Sequence, residues 1–124
     1  MAERRYTKNG EWIAQEGGLW RVGLAASSAA DLGDVTFVEL PVLGRAVVAG
    51  EAACVLEAVK AATDFYCPVD GRIAAVNNRL TAEPSLVTTS PEDQGWIFAL
   101  EAVPETSLGE LLDEQAWNAW EAGA

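Results

Sequence analysis

Short apolar stretches, separated by glycine, proline and acidic residues, follow one another along most of this chain. They are rich in β-branched and aromatic residues, a pattern typical of β-strands. Gly17 and Gly18 separate the stretches 12–14 and 19–24, and this pair permits the positive φ angles of a tight hairpin turn. Residues 52–56 are apolar on both faces, which predicts a buried strand. Further strands are predicted at residues 34–40, 45–48, 65–69, 72–76 and 96–100, with a hairpin turn at Asp70 and Gly71.

Helices are predicted in two places. The alanine-rich stretch 25–32 is followed by Gly33, which is typical of a short helix ended by a glycine. Near the C-terminus, the spacing of Ser and Glu predicts a capping box, and an aspartate can cap a second helix that carries two tryptophans. The residues concerned are Ser107 and Glu110 for the box, Asp113 for the cap, and Trp117 and Trp120.

Many short strands with a helical tail indicate a mainly β protein, either a sandwich or a barrel. The length of 124 residues suits one domain spanning residues 1–124. The predicted helical tail occupies about residues 105–122 of it. No linker, repeat or low-complexity segment indicates a second domain.

The charge of the chain narrows the possible functions. Eight basic residues against 19 acidic residues give a net charge of −11. Such a surface repels phosphate backbones and anionic lipid headgroups, so we expect neither nucleic acid nor membrane as a partner. The chain contains no histidine, which removes the commonest general base and the commonest metal ligand. Catalysis by a Ser-His or Cys-His pair is excluded, and no metal site is predicted.

The cysteines and the termini indicate a reducing compartment. Cys54 and Cys67 lack the C-x-x-C spacing of zinc and redox sites, so we expect two buried free thiols. The N-terminus is polar and lacks the apolar run of a secretory signal. No stretch approaches the roughly 20 apolar residues that span a bilayer. We therefore expect a cytoplasmic location.

Lysine is rare in this chain, which contains only Lys8 and Lys60. Lys60 follows an apolar strand and has small or apolar neighbours. Gly50 lies ten residues before it and Gly71 eleven residues after it. These turn glycines predict a near-symmetric hairpin at about residues 50–71, with Lys60 at the tip and its ammonium group in water.

On spacing alone, Lys60 is most simply interpreted as an ordinary solvated loop lysine. A lysine that forms a Schiff base would need a lowered pKa. Glu57 and Asp64 lie nearby in sequence and favour its charged form, so this second interpretation is disfavoured.

Two segments carry a more specific pattern: LGDVTFVELP at residues 32–41 and GEAACVLEAVKAATDFYCPVDG at residues 50–71. Shorter motifs are YTK at 6–8, GEW at 10–12, VGL at 22–24, VN at 76–77, EPSLV at 83–87 and GW at 95–96. Through them, nearly the whole chain resembles the lipoyl-carrier family of glycine cleavage H proteins.

The resemblance implies a barrel-sandwich hybrid of two antiparallel sheets, the fold of lipoyl and biotinyl carriers. It implies that Lys60 carries lipoic acid as an amide and that the protein has no catalytic activity of its own. Carriers of this family take the aminomethyl group from glycine decarboxylase, pass it to an aminomethyltransferase and are reoxidised by dihydrolipoamide dehydrogenase. A lipoate ligase or lipoyl transferase attaches the cofactor. We expect a monomer.

The resemblance also implies roles for four other residues. Glu57 and Gly71 match positions that the family uses for recognition by the lipoylating enzyme. Glu11 and Asp64 match carboxylates that line the cleft where a cationic, aminomethyl-loaded arm docks, which suits the need of a desolvated amine for charge-assisted acceptors. From the residues alone, Glu11 can equally be a charge at a strand start and Asp64 a turn carboxylate.

The chain departs from the family pattern at three places. Gly10 stands where many members have histidine, and Asp31 occupies a cleft position that is histidine or glutamine in some relatives. The segment 90–93 (SPED) lacks the aromatic residue usual after its proline. These departures bear on glycine cleavage specifically and not on lipoyl carriage.

Four alternatives compete with a glycine-cleavage carrier. An H-like protein of lipoate relay or of sulfur-compound oxidation keeps the cofactor, but such relatives often depart from the VKAATD surroundings of the lysine that this chain retains. A biotinyl carrier is disfavoured because Val59 and Ala61, and not methionines, flank Lys60. An autonomous enzyme lacks a nucleophile–base pair. A purely structural module leaves the isolated lysine hairpin unexplained.

Overall fold

The computed structural model describes residues 3–123, which form ten strands and five short helices. The strands are β1 (Arg4–Tyr6), β2 (Glu11–Glu16), β3 (Leu19–Leu24), β4 (Val35–Glu39), β5 (Ala46–Val47), β6 (Ala52–Ala58), β7 (Ala62–Tyr66), β8 (Gly71–Val76), β9 (Phe98–Glu101) and β10 (Leu112–Asp113). The helices are α1 (Ala26–Leu32), α2 (Arg79–Ala82), α3 (Leu86–Thr89), α4 (Glu105–Leu108) and α5 (Glu114–Gly123).

The strands form two antiparallel sheets. The larger has seven strands in the order β10-β1-β2-β3-β9-β8-β5, and the smaller has three in the order β4-β6-β7. Neither order returns to its first strand, so the described residues contain no closed barrel. The predicted fold class, mainly β with two antiparallel sheets and short helices near residues 25–32 and at the C-terminus, is confirmed.

Both sheets contribute to the main hydrophobic core, in which side chains of β2, β3, β8 and β9 pack against side chains of β4, β6 and β7. Ile13 and Phe98 of the larger sheet and Leu56 and Phe65 of the smaller sheet are almost fully buried. The rings of Phe65 and Phe98 meet edge to face with centroids 5.6 Å apart, which joins the sheets. Within residues 3–123, no helix is long and apolar enough to cross a membrane.

The hairpin predicted at Asp70 and Gly71 is wrong. The strand predicted at residues 65–69 ends at Tyr66, and Gly71 begins β8, which belongs to the other sheet. This segment therefore carries the chain between the sheets. Gly71 has no positive φ. A Cβ there would lie 3.1 Å from the carbonyl oxygen of Glu101, so close packing against β9 accounts for the glycine.

The C-terminal prediction is partly wrong. Ser107 lies inside α4 and caps no helix, and the following leucine-rich stretch leads into the short strand β10, which pairs with β1. The cap predicted at Asp113 is confirmed, since its Oδ1 accepts the N–H of Ala116 at 2.8 Å. The helix α5 that it starts packs Trp117 against Tyr6, with ring centroids 5.1 Å apart.

Candidate functional site

Lys60 lies at the tip of the hairpin formed by β6 and β7. Glu57 pairs with Ala62, and the N–H of Ala58 donates to the carbonyl of Ala61 at 3.0 Å, so Val59 and Lys60 form a two-residue loop. Neither loop residue has the positive φ that tight hairpin loops favour. The loop is held from outside, because the N–H of Val59 donates to the carbonyl of Asp34 at 3.1 Å. Both loop side chains are exposed.

The side chain of Lys60 runs beside the end of α1. Gly33 ends this helix with a φ of +81°, and its N–H donates to the carbonyl of Ala29 at 3.1 Å. A Cβ on Gly33 would lie 3.8 Å from Cε of Lys60, so the lysine crosses the backbone of this turn at ordinary contact distance. The helix α1 in turn forms one wall of a cleft.

The cleft has a volume of about 630 Å³ and lies between the two sheets and α1. Three carboxylates line it, and no lysine or arginine is among its lining residues. An ammonium group that enters it leaves water for a negative environment, which is favourable where the carboxylates are ionised. The lining residues are Asn9, Glu11, Leu24, Ser28, Asp31, Leu32, Gly50, Thr63, Asp64 and Tyr66.

Glu11 is the most buried of these carboxylates, with 5% of its surface exposed. Its Oε1 accepts the hydroxyl of Thr7 at 2.7 Å. Burial raises the pKa of Glu11, and the hydrogen bond from Thr7 opposes that rise. Asp31 on α1 and Asp64 on β7 are exposed at the other walls.

The residues singled out in the sequence thus fall into two groups. Glu11 and Asp64, distant in sequence, line the same cleft, together with the departure residue Asp31. Glu57 and Gly71 are not among the lining residues: Glu57 is exposed on β6 three residues before Lys60, and Gly71 packs in the larger sheet.

The turn between β1 and β2 contributes residues that sequence reasoning missed. Thr7 holds Glu11, and Asn9 lines the cleft. The dipeptide Asn9-Gly10, a common turn signal, could have located this turn but not its contacts. Gly10 has a φ of +92°, and a Cβ there would collide with Oγ of Ser28. Glycine at this position, where many relatives have histidine, therefore suits the close approach of α1.

The cysteines agree with the sequence prediction. Cys54 and Cys67 are both buried and free.

Among residues 3–123, no group of three or more His, Cys, Asp or Glu residues could hold a metal ion.

An exposed lysine at the end of a hairpin, beside an acidic cleft between two sheets, is the geometry of a carrier domain that holds a covalently attached group. Residues 4–121 match the family model of the glycine cleavage H-protein. The chain belongs to this family.

Its relatives cover it almost completely. The glycine cleavage system H protein of Thermotoga maritima is 44% identical over 118 residues, which are 95% of each chain. That of Bradyrhizobium diazoefficiens is 44% identical over 119 residues, covering 96% of this chain and 98% of the relative. The crystal structure of a glycine cleavage system H protein from Mycobacterium marinum matches with a TM-score of 0.84 at 34% identity, covering 98% of both chains.

Proposed function

We propose that this chain is the lipoyl carrier protein of the glycine cleavage system, with lipoic acid attached as an amide to Lys60. The observation that carries the proposal is the position of Lys60, exposed on a two-residue hairpin loop beside the acidic cleft. When bound, the lipoyl group supplies a dithiolane that exchanges disulfide, substituted thiol and dithiol forms. The chain itself is a carrier without catalytic activity.

Lys60 is the attachment site in this proposal, and Lys8 is not. The ammonium of Lys8 lies 4.9 Å from the ring centroid of Trp120, in a cation–π contact with α5. Lys60 has no such partner among the described cation–π contacts and ion pairs, and its loop projects from the end of a hairpin. A modifying enzyme can therefore reach Lys60 without displacing a helix.

Recognition by the lipoate ligase or lipoyl transferase is assigned to Glu57 and Gly71. Glu57 is exposed, three residues before Lys60 on the same hairpin, where an enzyme that holds the lysine can contact it. Gly71 has little space for a side chain, so a substitution there would also disturb the packing of β8 on β9. The recognition role is consequently tested at Glu57.

The cleft is assigned to the loaded arm. An aminomethyl group on the arm is cationic, and the cleft offers it carboxylate acceptors from Glu11 of the larger sheet and Asp64 of the smaller sheet, with Asp31 as a third. The cleft walls reduce access of water to the amine. Glu11 and Asp64 thereby slow the loss of ammonia and formaldehyde while the carrier moves between its partners.

The partners follow from this role: glycine decarboxylase loads the arm, an aminomethyltransferase unloads it, and dihydrolipoamide dehydrogenase reoxidises it. A tethered arm raises the effective concentration of the transferred group at each partner. No observation on this chain favours lipoate relay or sulfur-compound oxidation, since its matched relatives are named glycine cleavage system H proteins.

The test uses lipoylated protein with the glycine decarboxylase of the same organism, glycine and labelled bicarbonate. We expect label to enter the carboxyl group of glycine only when the carrier is present and lipoylated. A Lys60→Arg variant serves as the control without an arm. Normal reduction by dihydrolipoamide dehydrogenase without any label exchange would contradict the glycine-cleavage role and leave lipoyl carriage intact.

A further inference from the structure

Thr7 and Glu11 are joined by three hydrogen bonds across the turn between β1 and β2. The hydroxyl of Thr7 donates to Oε1 of Glu11 at 2.7 Å and accepts the backbone N–H of Glu11 at 3.2 Å. The N–H of Thr7 donates to the carbonyl of Glu11 at 2.9 Å. One hydroxyl can donate and accept at the same time, so this geometry uses the full capacity of the side chain.

The second carboxylate oxygen of Glu11 is left available. No described residue donates to Oε2 of Glu11, while Oε1 has Thr7 as its donor. Among residues 3–123, no fully buried side-chain oxygen lacks a partner. Oε2 is therefore in contact with solvent. Because Glu11 is buried apart from the part that lines the cleft, solvent reaches Oε2 through the cleft.

We propose that Thr7 is a positioning residue, whose hydroxyl occupies Oε1 of Glu11 and so holds Oε2 toward the cleft as the acceptor for a cationic amine. This inference rests on the proposed function, in which Glu11 receives the amine of the loaded arm. Thr7 itself does not line the cleft. It acts through Glu11.

The hydroxyl also favours the charge that the amine needs. Burial raises the pKa of Glu11, and Thr7 is the only described residue whose side chain donates a hydrogen bond to it. The other titratable groups around the cleft are Asp31 on α1 and Asp64 and Tyr66 on β7. The charge of Glu11 also helps to raise the pKa of the Cys67 thiol. None of these groups donates a hydrogen bond to Glu11, so Thr7 opposes the burial penalty alone.

The first measurement is the titration of the Glu11 carboxyl carbon by NMR in lipoylated but unloaded protein. Thr7→Val keeps the shape of the side chain and removes the hydroxyl, whereas Thr7→Ser keeps the hydroxyl. We expect Thr7→Val to raise the midpoint, because a hydrogen bond to the charged form is lost. Thr7→Ser should stay near the parent protein.

The second measurement is hydrolysis of the loaded arm, in which the C–N and C–S bonds both break and water supplies the oxygen of formaldehyde: R–S–CH₂–NH₃⁺ and water give R–SH, formaldehyde and ammonium. We expect Thr7→Val to accelerate this hydrolysis about two- to tenfold, the range that one hydrogen bond supports. Thr7→Ser should restore the slow rate. Thermal unfolding of each variant verifies that the fold is kept.

The outcomes separate the two proposals. A Thr7→Val variant with unchanged midpoint and unchanged hydrolysis overturns the role of Thr7, as does a Thr7→Ser variant that behaves like Thr7→Val. If Thr7→Val shifts the midpoint but neither it nor Glu11→Gln alters hydrolysis, Thr7 does position Glu11, and the docking role of Glu11 is wrong instead. If Glu11→Gln accelerates hydrolysis while both Thr7 variants keep the parent behaviour, docking stands and Thr7 is structural.

Discussion

The two lysines of the chain differ in their surroundings, and this difference can be measured directly. Lys60→Arg keeps the charge at the hairpin tip but removes the primary amine to which we propose that lipoic acid is attached. We expect the variant to fold normally and to gain no lipoyl mass when it is incubated with a lipoate ligase, as followed by intact mass spectrometry. Lys8→Arg, which preserves the cation over Trp120, should be lipoylated like the parent. Lipoylation of Lys60→Arg would refute the assignment.

The side chain of Glu57 is exposed and makes no hydrogen bond or ion pair within the described residues. Only its backbone carbonyl accepts a hydrogen bond from a side chain, the hydroxyl of Thr36, at 3.2 Å. Glu57→Gln should therefore slow lipoylation and leave the melting temperature nearly unchanged. The matched control is Glu39→Gln, an exposed carboxylate on the same sheet. Initial rates of lipoylation and thermal melts give both quantities. Equal rates for the two variants would remove Glu57 from the recognition site.

The buried thiols should take no part in the thiol–disulfide exchange of the proposed lipoyl arm. Burial raises the pKa of both Cys54 and Cys67 to about 12, from an ordinary value of 9.0, which leaves roughly a thousandfold less thiolate at neutral pH. We expect native protein to react with iodoacetamide far more slowly than protein unfolded in guanidinium. Mass spectrometry of the alkylated protein measures both rates. Rapid labelling of the native state would contradict this prediction.

At the scale of elements, one side chain from the segment 90–93 contacts the N-terminus of α1. The helix has no side-chain cap of its own at Ala25. Instead, Glu92 accepts the N–H of Ala26 at 2.8 Å and the hydroxyl of Tyr6 at 2.8 Å. A carboxylate at a helix N-terminus satisfies a free donor and favours the helix dipole. Glu92, which stands in the segment that departs from the family pattern, thereby joins α1 to β1.

Glu92→Ala should lower the free energy of unfolding by about 1–3 kcal/mol, since the partly buried hydroxyl of Tyr6 and the exposed N–H of Ala26 both lose a charged acceptor. The amides of α1 should also exchange faster with deuterium, because this helix forms a wall of the cleft and loses its tether. Asp93→Ala, which removes a neighbouring exposed carboxylate, is the control. Urea unfolding and hydrogen exchange measure the two effects. Similar losses in both variants would indicate a general charge effect.

The elements also mark where sequence reasoning succeeds. The hairpin tip at Lys60 could be predicted because apolar strands and small residues are local signals. The path after Tyr66 could not, because Asp70-Gly71 has the composition of a hairpin turn while the sheet that receives β8 is chosen by core packing. The contacts of Thr7 and Glu92 could not be predicted from the sequence either. Each depends on a turn or loop geometry that a single residue type does not encode.

At the scale of the whole molecule, the cleft exists only because both sheets and α1 meet there. Glu11 comes from the larger sheet, Asp64 from the smaller sheet and Asp31 from the helix between them. The net charge of −11 extends this negative field over the surface. Association with basic patches on partner enzymes should therefore be fast at low salt and slower at high salt. The same negative field disfavours the ionised form of a buried carboxylate such as Glu11.

Glu11 should accordingly cost the whole molecule stability at neutral pH. Its folded pKa lies above its unfolded value because of burial. The native state then binds a proton that the unfolded state has lost, so its contribution to stability is fully present below the unfolded pKa of about 4.3 and is lost as the pH rises through the folded pKa. Glutamine at this position does not ionise, so it avoids this loss of stability, and its amide oxygen can still accept a hydrogen bond from the hydroxyl of Thr7.

We therefore expect Glu11→Gln to raise the free energy of unfolding at pH 7, and the gain to shrink as the pH is lowered toward 4. Urea unfolding across this range measures it, with Glu16→Gln, at the exposed end of the same strand, as the control. The same variant should release the amine of a loaded arm faster. Higher stability together with weaker retention is the expected signature of a carboxylate that is buried for binding. A loss of stability at pH 7 would instead make Glu11 a structural residue of the turn.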